Sequence, residues 1–211
     1  MIIALESASS DPSIALAAPD GTAIAVDGWS SDGRQGSDLL PRLLRLLARE
    51  GRELREATAV AVGIGPGSFT GLRVAMSLAK GLAMALAIPV SSAPSLVAWL
   101  AAEPAAGAAV ARAGAREVFL LERGEAEPRI VSAADVRTIV QGRRIVAPSE
   151  LAEAFELAAA IRPHRAAAAV AAIAAARLAV EPGGDDLERL EPAYLRAPRG
   201  IGPSPEVAAW P

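Results

Sequence analysis

The sequence predicts an α/β protein of two lobes, each with a mixed β-sheet and helices. Three short apolar runs, Ile2–Leu5, Ser13–Ala17 and Thr22–Val26, are separated by turn-forming residues and indicate three antiparallel strands. Helical patterns then alternate with single strands, which is typical of a sheet covered by helices. The resulting order, βββαβαβα, fills residues 1–102, and a second series of strands and helices follows it.

Two helices dominate the first lobe. Over Ser37–Glu50, leucines form a broad apolar stripe with arginines on the other side, and Gly51 ends the helix. Pro41 is expected in the first turn of this helix. The second helix extends over about Thr70–Leu86 and ends before Pro89. A strand at Ile88–Ser92 and a short helix at Ser95–Ala102 complete the lobe.

The remaining residues are expected to form a smaller lobe at 103–181 and a tail at 182–211. We place its strands at Ala108–Arg112, Glu117–Glu122, Pro128–Val131 and Arg144–Ala147, and its helices at Ala133–Val140, Glu150–Leu157 and Arg165–Val180. The tail is rich in Pro and Gly. Tyr194 is expected to pack the tail back onto a lobe, and residues 197–211 are expected to be disordered.

Composition excludes several functions. The formal net charge is -3 and aromatic residues make up 3%, so neither a broad basic field nor stacking platforms for strong tRNA binding are expected. Without Cys there is no disulfide, thiol nucleophile or thiolate zinc site. The N-terminus reads as a strand and not as a signal peptide, and the uncharged run at Gly81–Ala102 is broken by prolines. A cytoplasmic protein is expected.

The most informative stretch is a glycine-rich turn, GIGPGSFTGLR, at Gly63–Arg73. It follows an apolar strand at Ala59–Gly63, and Ser68 or Thr70 can cap the helix that leaves it. Its backbone N–H groups can hold an anion at the positive end of the helix. Alternatively, the glycines serve the geometry of a tight turn alone. The string matches neither the P-loop nor the G-x-G-x-x-G pattern.

The two long helices of the first lobe carry more apolar surface than one sheet needs. A strip of small residues recurs every four positions from Gly71 and Ala75, and a ridge of Val74, Leu78 and Leu82 adjoins it. The small strip can pack on the protein's own sheet or against another helix. Both remain open from the pattern alone.

Three stretches resemble the TsaB family, also called YeaZ. GPGSFTGLRVA at Gly65–Ala75 is similar to the family's GPGSFTGLRVG signature, IIALESASSDPSIAL at Ile2–Leu16 to its first hairpin, and EPAYLR at Glu191–Arg196 to its C-terminal motif. The resemblance is strong over residues 1–102 and faint over 103–190. It implies an actin-like or Hsp70-like (ASKHA) ATPase-type fold.

The resemblance also implies a function. These proteins are non-catalytic partner subunits needed to make threonylcarbamoyladenosine beside the tRNA anticodon, and they bind and organise the catalytic TsaD subunit. A TsaE-like ATPase would join through that complex, and the chain alone would be a homodimer. The implied partner-binding residues lie on the two long helices: Leu40, Leu44, Leu47, Gly71, Val74, Ala75, Leu78 and Leu82.

The resemblance further implies a vestigial nucleotide or anion site at Glu6, Gly65, Gly67 and Ser68, with ATP or ADP and Mg at the boundary with the partner. Glu6 holds the acidic position of the fold, although a structural carboxylate at a strand end is equally compatible. Gly36 replaces the family's usual His, and Arg112-Ala113-Gly114 replaces an acidic motif. No metal site and no catalytic residue are therefore expected, and the lone His164 has a solvated or capping role.

Two other functions are less favoured by the sequence. A stand-alone phosphotransferase or ATPase of the same fold would use Glu6 and the glycine turn, but it would need further metal-holding carboxylates and a base. A peptidase is the least favoured, because one His and no Cys supply neither a zinc site nor a triad.

Overall fold

The first lobe is a five-stranded sheet with helices on both faces. A computed structural model describes residues 1–31, 35–157 and 160–193, so the predictions for Tyr194 and for residues 197–211 lie outside the described residues. The lobe contains β1 (Ile2–Glu6), β2 (Ser13–Ala17), β3 (Ala23–Gly28), α1 (Gln35–Arg49), a 3-10 turn (Leu54–Glu56), β4 (Ala59–Gly63), α2 (Phe69–Leu86), β5 (Val90–Ala93) and α3 (Ser95–Ala102). The strand order is β3-β2-β1-β4-β5. The first three strands are antiparallel, as predicted, and β4 and β5 continue the sheet in parallel.

The second lobe repeats this topology. It contains β6 (Ala108–Arg112), β7 (Glu117–Glu122), β8 (Arg129–Ser132), α4 (Ala133–Ile139), β9 (Ile145–Val146), α5 (Ser149–Ala154), β10 (Ala160–Ile161) and α6 (Ala166–Val180). Its strand order is β10-β9-β6-β7-β8, with β7 antiparallel and β9 parallel to the central β6. Both lobes therefore have the order βββαβαβα, and the predicted two-lobed α/β class is confirmed.

Large and small side chains alternate along the strands, so the two faces of the first sheet differ in side-chain size and pack on different helices. Branched residues such as Ile3 and Leu5 face α1 and α2, where Leu43 is among their neighbours. The intervening positions are mostly alanines and face α6. Helix α6 therefore packs on the first sheet, although its residues fall within the range 103–181 that we expected to form the smaller lobe. Small side chains on both surfaces permit this close packing.

A second core joins the lobes. Leu96, Trp99 and Leu100 of α3 pack with Phe119 and Leu121 of β7, so that α3 lies against the second sheet. The opposite face of that sheet packs on α4 and α5. The lobes thus share buried apolar surface and are not connected by a linker alone.

The position predicted for Pro41 was wrong, and two short elements were not predicted. Helix α1 begins at Gln35, so Pro41 is its seventh residue and lies in the second turn, not the first. The 3-10 turn at Leu54–Glu56 and the two-residue strand β10 were not predicted. Both are too short to give a periodic pattern of apolar residues.

Helix α2 is the one helix of the described residues that is long and apolar enough to cross a membrane by length and composition alone. It packs on the first sheet through one side, where Leu72, Ala75, Met76 and Ala79 are buried. Because core helices of globular proteins meet the same criterion, this is weak evidence for a span.

Candidate functional sites

The glycine turn packs directly on the loop that follows β1. The backbone N–H of Ser68 donates to the carbonyl oxygen of Ala8 at 2.6 Å, and the hydroxyl of Ser68 accepts from the N–H of Gly71 at 3.2 Å. Ser68 is therefore the helix cap, one of the two predicted candidates. A Cβ on Gly67 would lie 2.2 Å from the carbonyl oxygen of Ala8, and Gly65 has a φ of +96°. The chain's own geometry thus requires both glycines.

Glu6 is buried beneath this turn with both carboxylate oxygens bonded. One oxygen accepts from the N–H of Ala8 at 2.7 Å and the other from the hydroxyl of Ser95 at 2.8 Å. A Cβ on Gly63 would lie 1.8 Å from the second oxygen, so Gly63 makes room for the carboxylate. Burial raises the pKa of Glu6 to about 6, although the hydrogen bonds from Ala8 and Ser95 oppose this rise.

Ser95 connects Glu6 with the glycine turn. Its hydroxyl accepts from the N–H of Gly65 at 2.9 Å, and its own N–H donates to the carbonyl oxygen of Gly65 at 2.9 Å. Of the four residues predicted for the vestigial nucleotide or anion site, Glu6 and Gly65 thus belong to a buried network that begins helix α3.

The other two, Gly67 and Ser68, line a cleft of about 430 Å³ between the lobes. The opposite wall is formed by Arg112, Ala113 and Gly114, the three residues that replace the family's acidic motif. Glu150 also lines the cleft, and its carboxylate accepts from the hydroxyl of Ser10. Among the described residues no group of three or more His, Cys, Asp or Glu side chains could hold a metal ion.

Sequence reasoning missed a polar cluster that joins the lobes, which we call the lobe latch: Asp11, Ser30, Ser149 and His164. The buried carboxylate of Asp11 accepts from the N–H of Ser149 at 2.6 Å and from the hydroxyl of Ser30 at 2.5 Å. Its Oδ1 also lies 3.1 Å from Nε2 of His164. Burial alone would raise the pKa of Asp11, but these hydrogen bonds outweigh it and lower the pKa.

His164 thus contacts Asp11 and is not merely solvated. No local pattern predicts the latch, because His164 is 153 positions and Ser149 is 138 positions from Asp11 in the chain.

Helices α1 and α2 lie side by side and leave part of their surface uncovered. Leu40 and Leu44 are 40% and 45% exposed, while Val74 and Leu78 are partly buried. We call these four residues the apolar face. They are the predicted partner-binding residues that remain at the surface.

The other four predicted partner-binding residues are buried within the chain: Leu47, Gly71, Ala75 and Leu82. A Cβ on Gly71 would lie 2.0 Å from the carbonyl oxygen of Ser7, so its small size is used inside the lobe. A role of these four in partner binding stays a prediction, and their side chains add nothing to the exposed surface of the isolated chain.

The sequence and the fold both match known proteins. A family model described as TsaD, tRNA N6-adenosine threonylcarbamoyltransferase, matches residues 35–153. The tRNA threonylcarbamoyladenosine biosynthesis protein TsaB of Haemophilus influenzae is 42% identical over 60 residues, or 28% of this chain. That match spans only 25% of the length of the curated relative.

Two solved structures from Pseudomonas aeruginosa share the fold. YeaZ superposes with a TM-score of 0.66 at 23% identity, covering 92% of this chain and 99% of the other. A protein described as similar to the peptidase YeaZ gives a TM-score of 0.65 at 24% identity, over 92% and 99% of the two chains. At these identities, the likeness establishes the fold alone.

Two lobes that repeat one βββαβαβα order around a cleft define an actin-like (ASKHA-type) α/β protein. The chain belongs to the TsaD family, because that family model matches more than half of its length, and the predicted resemblance to the TsaB (YeaZ) members is confirmed.

Proposed function

We propose that this chain is a non-catalytic subunit of the cytoplasmic machinery that makes threonylcarbamoyladenosine beside the tRNA anticodon. It binds and organises a TsaD-like catalytic subunit, which transfers the threonylcarbamoyl group. Family membership and the function named for the curated TsaB relative support this role. A TsaE-like ATPase joins through the catalytic subunit, and the chain pairs with itself when that subunit is absent.

The burial of Glu6 is the observation that carries the non-catalytic part of the proposal. Phosphoryl transfer needs carboxylates that face the nucleotide and hold a metal ion. Both oxygens of Glu6 instead accept hydrogen bonds from Ala8 and Ser95 beneath the turn. Among the described residues that line the cleft, Glu150 is the one acidic side chain. A single carboxylate cannot both hold a pair of metal ions and act as a general base.

Any ATP or ADP at the boundary with the partner would bind in the cleft between the lobes. Gly67, Ser68 and Arg112 line it and offer a backbone N–H, a hydroxyl and a cation to phosphate. These groups fit an anion. The buried Glu6 does not fit Mg²⁺, so a metal ion would depend on ligands from the catalytic partner.

The partner binds the apolar face in this proposal. The exposed Leu40 and Leu44 of α1, with the partly buried Val74 and Leu78 of the adjacent α2, are costly to leave in water, and a facing pair of helices can bury them. A charge introduced there would lose its hydration when the partner binds, which weakens the binding free energy by roughly several kcal/mol.

The test is size-exclusion chromatography with light scattering on this chain and the TsaD-family subunit of the same organism, with and without ATP. Leu44→Glu should abolish the mixed peak, and also threonylcarbamoyladenosine formation on tRNA in the reconstituted system. Val180→Glu is the matched control, because Val180 is 87% exposed at the far end of α6. Circular dichroism should show both variants folded.

Two outcomes would contradict the proposal. If Leu44→Glu pairs as well as the unchanged chain, the apolar face is not the binding site. If the lone chain hydrolyses ATP and forms no complex, the phosphotransferase alternative replaces the partner function.

A further inference from the structure

We propose that the α1–α2 surface is built to bind a partner whose facing surface is acidic, in preference to a second copy of this chain. This inference rests on the proposed function, because it takes the apolar face as the site of pairing. It adds the charge of the partner's facing surface. It also adds a physical reason why the mixed pair with that partner differs from a pair of two identical chains.

The charge of the two helices is opposite to that of the whole chain. Helices α1 and α2 contain five cationic residues and one acidic residue, Asp38, while the chain as a whole has a net charge of -3. The cationic residues are Arg42, Arg45, Arg49, Arg73 and Lys80. Positive charge is therefore concentrated on the layer that carries the apolar face.

These cations border the apolar face on its two outer sides. On α2, Arg73 and Lys80 line a groove with Leu190 and Pro192 of the chain after α6. That chain bonds to β5, whereas α1 packs on β2 and β3 towards the opposite edge of the sheet, so this flank points away from α1. Val74 and Leu78 pack against the same apolar core as the buried leucines of α1. Helical spacing places these two residues on the flank of α2 opposite to its two cations.

On α1 the same spacing separates leucines from arginines. Leu40 and Leu44 lie next to the buried Leu47, whereas Arg45 lies about 100° round the helix from Leu44, at the outer edge of the leucines, and Arg49 lies further round. A partner that covers the leucines therefore meets cations at both borders.

Two of these cations are left for a partner. Arg42 is paired with Asp27 at 3.1 Å, Arg49 with Glu50 at 3.0 Å, and the guanidinium of Arg73 lies over the ring of Phe69. Over residues 1–31, 35–157 and 160–193, neither Arg45 nor Lys80 has a hydrogen bond or an ion pair. Glu191 lines the same groove as Lys80, so Arg45 is the less compensated of the two.

A symmetric pair of identical chains places the same surface patch on both sides of the interface. Cationic borders then meet cationic borders, which opposes pairing, and salt screens this repulsion. A partner with carboxylates at the matching positions gains attraction, and salt weakens that attraction. The two kinds of pair therefore respond to salt in opposite directions.

The experiment measures both dissociation constants between about 50 mM and about 500 mM NaCl, a range over which surface charges become strongly screened. The probe for the mixed pair is the TsaD-family subunit of the same organism, and the probe for self-pairing is the unchanged chain alone. We expect the mixed pair to weaken about tenfold with salt and the self-pair to stay equal or become tighter.

Charge reversal gives an independent measurement. Arg45→Glu should weaken the mixed pair about tenfold at low salt, with the difference closing at high salt, and should tighten pairing between variant and unchanged chains. Arg144→Glu is the control, because Arg144 is exposed just before β9 in the second lobe, and it should change neither pair.

The outcomes separate this inference from the proposed function. A mixed pair that Leu44→Glu abolishes, but that neither salt nor Arg45→Glu affects, would overturn the inference and leave the proposed function intact. Absence of any mixed pair would contradict the proposed function itself and the inference with it.

Discussion

Glu6 is a charged side chain that the fold holds away from water. Its pKa is raised to about 6 from an ordinary value of 4.5, mainly by burial. A group whose pKa is raised in the folded state contributes most stability when protonated, below its unfolded pKa, and that contribution is lost as pH rises through about 6. At neutral pH, ionised Glu6 therefore costs about 2 kcal/mol of folding free energy.

We therefore predict that Glu6→Gln raises the free energy of unfolding by about 1–2 kcal/mol at a pH of about 8 and has little effect near pH 4. The amide oxygen can still accept from the N–H of Ala8, and the amide N–H can donate to the hydroxyl of Ser95. Urea unfolding across this pH range measures the effect.

The control is Glu127→Gln, since Glu127 is exposed in the second lobe. It should show no such pH dependence. Destabilisation by Glu6→Gln at a pH of about 8 that disappears near pH 4 would mean that the carboxylate is required as an anion, contrary to this account.

The sequence predicted the position of Glu6 but not its environment. The family resemblance predicted an acidic residue directly after the first strand. A purely structural role for the carboxylate of this residue was equally compatible with the sequence. Burial depends on Ser95 and Gly63, which are distant in the chain and approach only when β4 pairs with β1 and α3 forms. No local pattern encodes that approach.

At the scale of elements, helix α2 contains two glycines with different roles. Gly71 in its first turn lies against the carbonyl oxygen of Ser7, where an added Cβ would be only 2.0 Å away. Gly81 is exposed, and an added Cβ there would meet no atom within 4 Å. The two positions form a matched pair for the same substitution.

We predict that Gly81→Ala raises the free energy of unfolding by about 0.5–1 kcal/mol, because alanine loses less conformational entropy in a helix. Gly71→Ala should lower it by about 2 kcal/mol or more, since a backbone atom must move to admit the methyl group. Thermal and urea unfolding of both variants provide the measurement. Equal effects at the two sites would show that the loop after β1 does not press on α2.

Elements with strong local signals were predicted well, and short ones were not. The bounds of α3, β6 and β7 agree with prediction because prolines, glycines and continuous apolar runs mark them. The two residues of β10 carry no such signal. The docking of α6 on the first sheet was also missed, since an alanine-rich helix has no apolar side that distinguishes one sheet from another.

At the scale of the whole molecule, the two repeats are joined by an apolar core and by the lobe latch. The core around Trp99 favours contact between the lobes without fixing one orientation, because hydrophobic packing is non-directional. The hydrogen bonds of Asp11 are directional and reach Ser149 at the start of α5. The latch therefore sets how the second lobe sits against the hairpin that borders the cleft.

Asp11→Asn tests this role. The lowered pKa of Asp11 means that its carboxylate stabilises the fold above the unfolded value of 3.8, and that this contribution is lost as pH falls through the folded pKa. We predict a loss of about 2 kcal/mol in the free energy of unfolding at neutral pH, since an amide oxygen replaces a carboxylate that contacts four groups: the N–H of Ser149 and the side chains of Ser30, Ser149 and His164. The difference should shrink as pH falls below the unfolded value of 3.8 towards the lower folded pKa, because Asp11 of the unfolded chain takes up its proton first.

Hydrogen exchange separates loss of the latch from general destabilisation. If Asp11 fixes the lobes, exchange in Asp11→Asn should rise first at the amide of Ser149 and in the hairpin between β1 and β2, while the central strands β1 and β6 stay protected. Asp135→Asn, at an exposed position in the first turn of α4, should leave this pattern unchanged. Uniform faster exchange throughout both sheets would show instead that Asp11 stabilises the whole fold and does not specifically fix the second lobe against the hairpin.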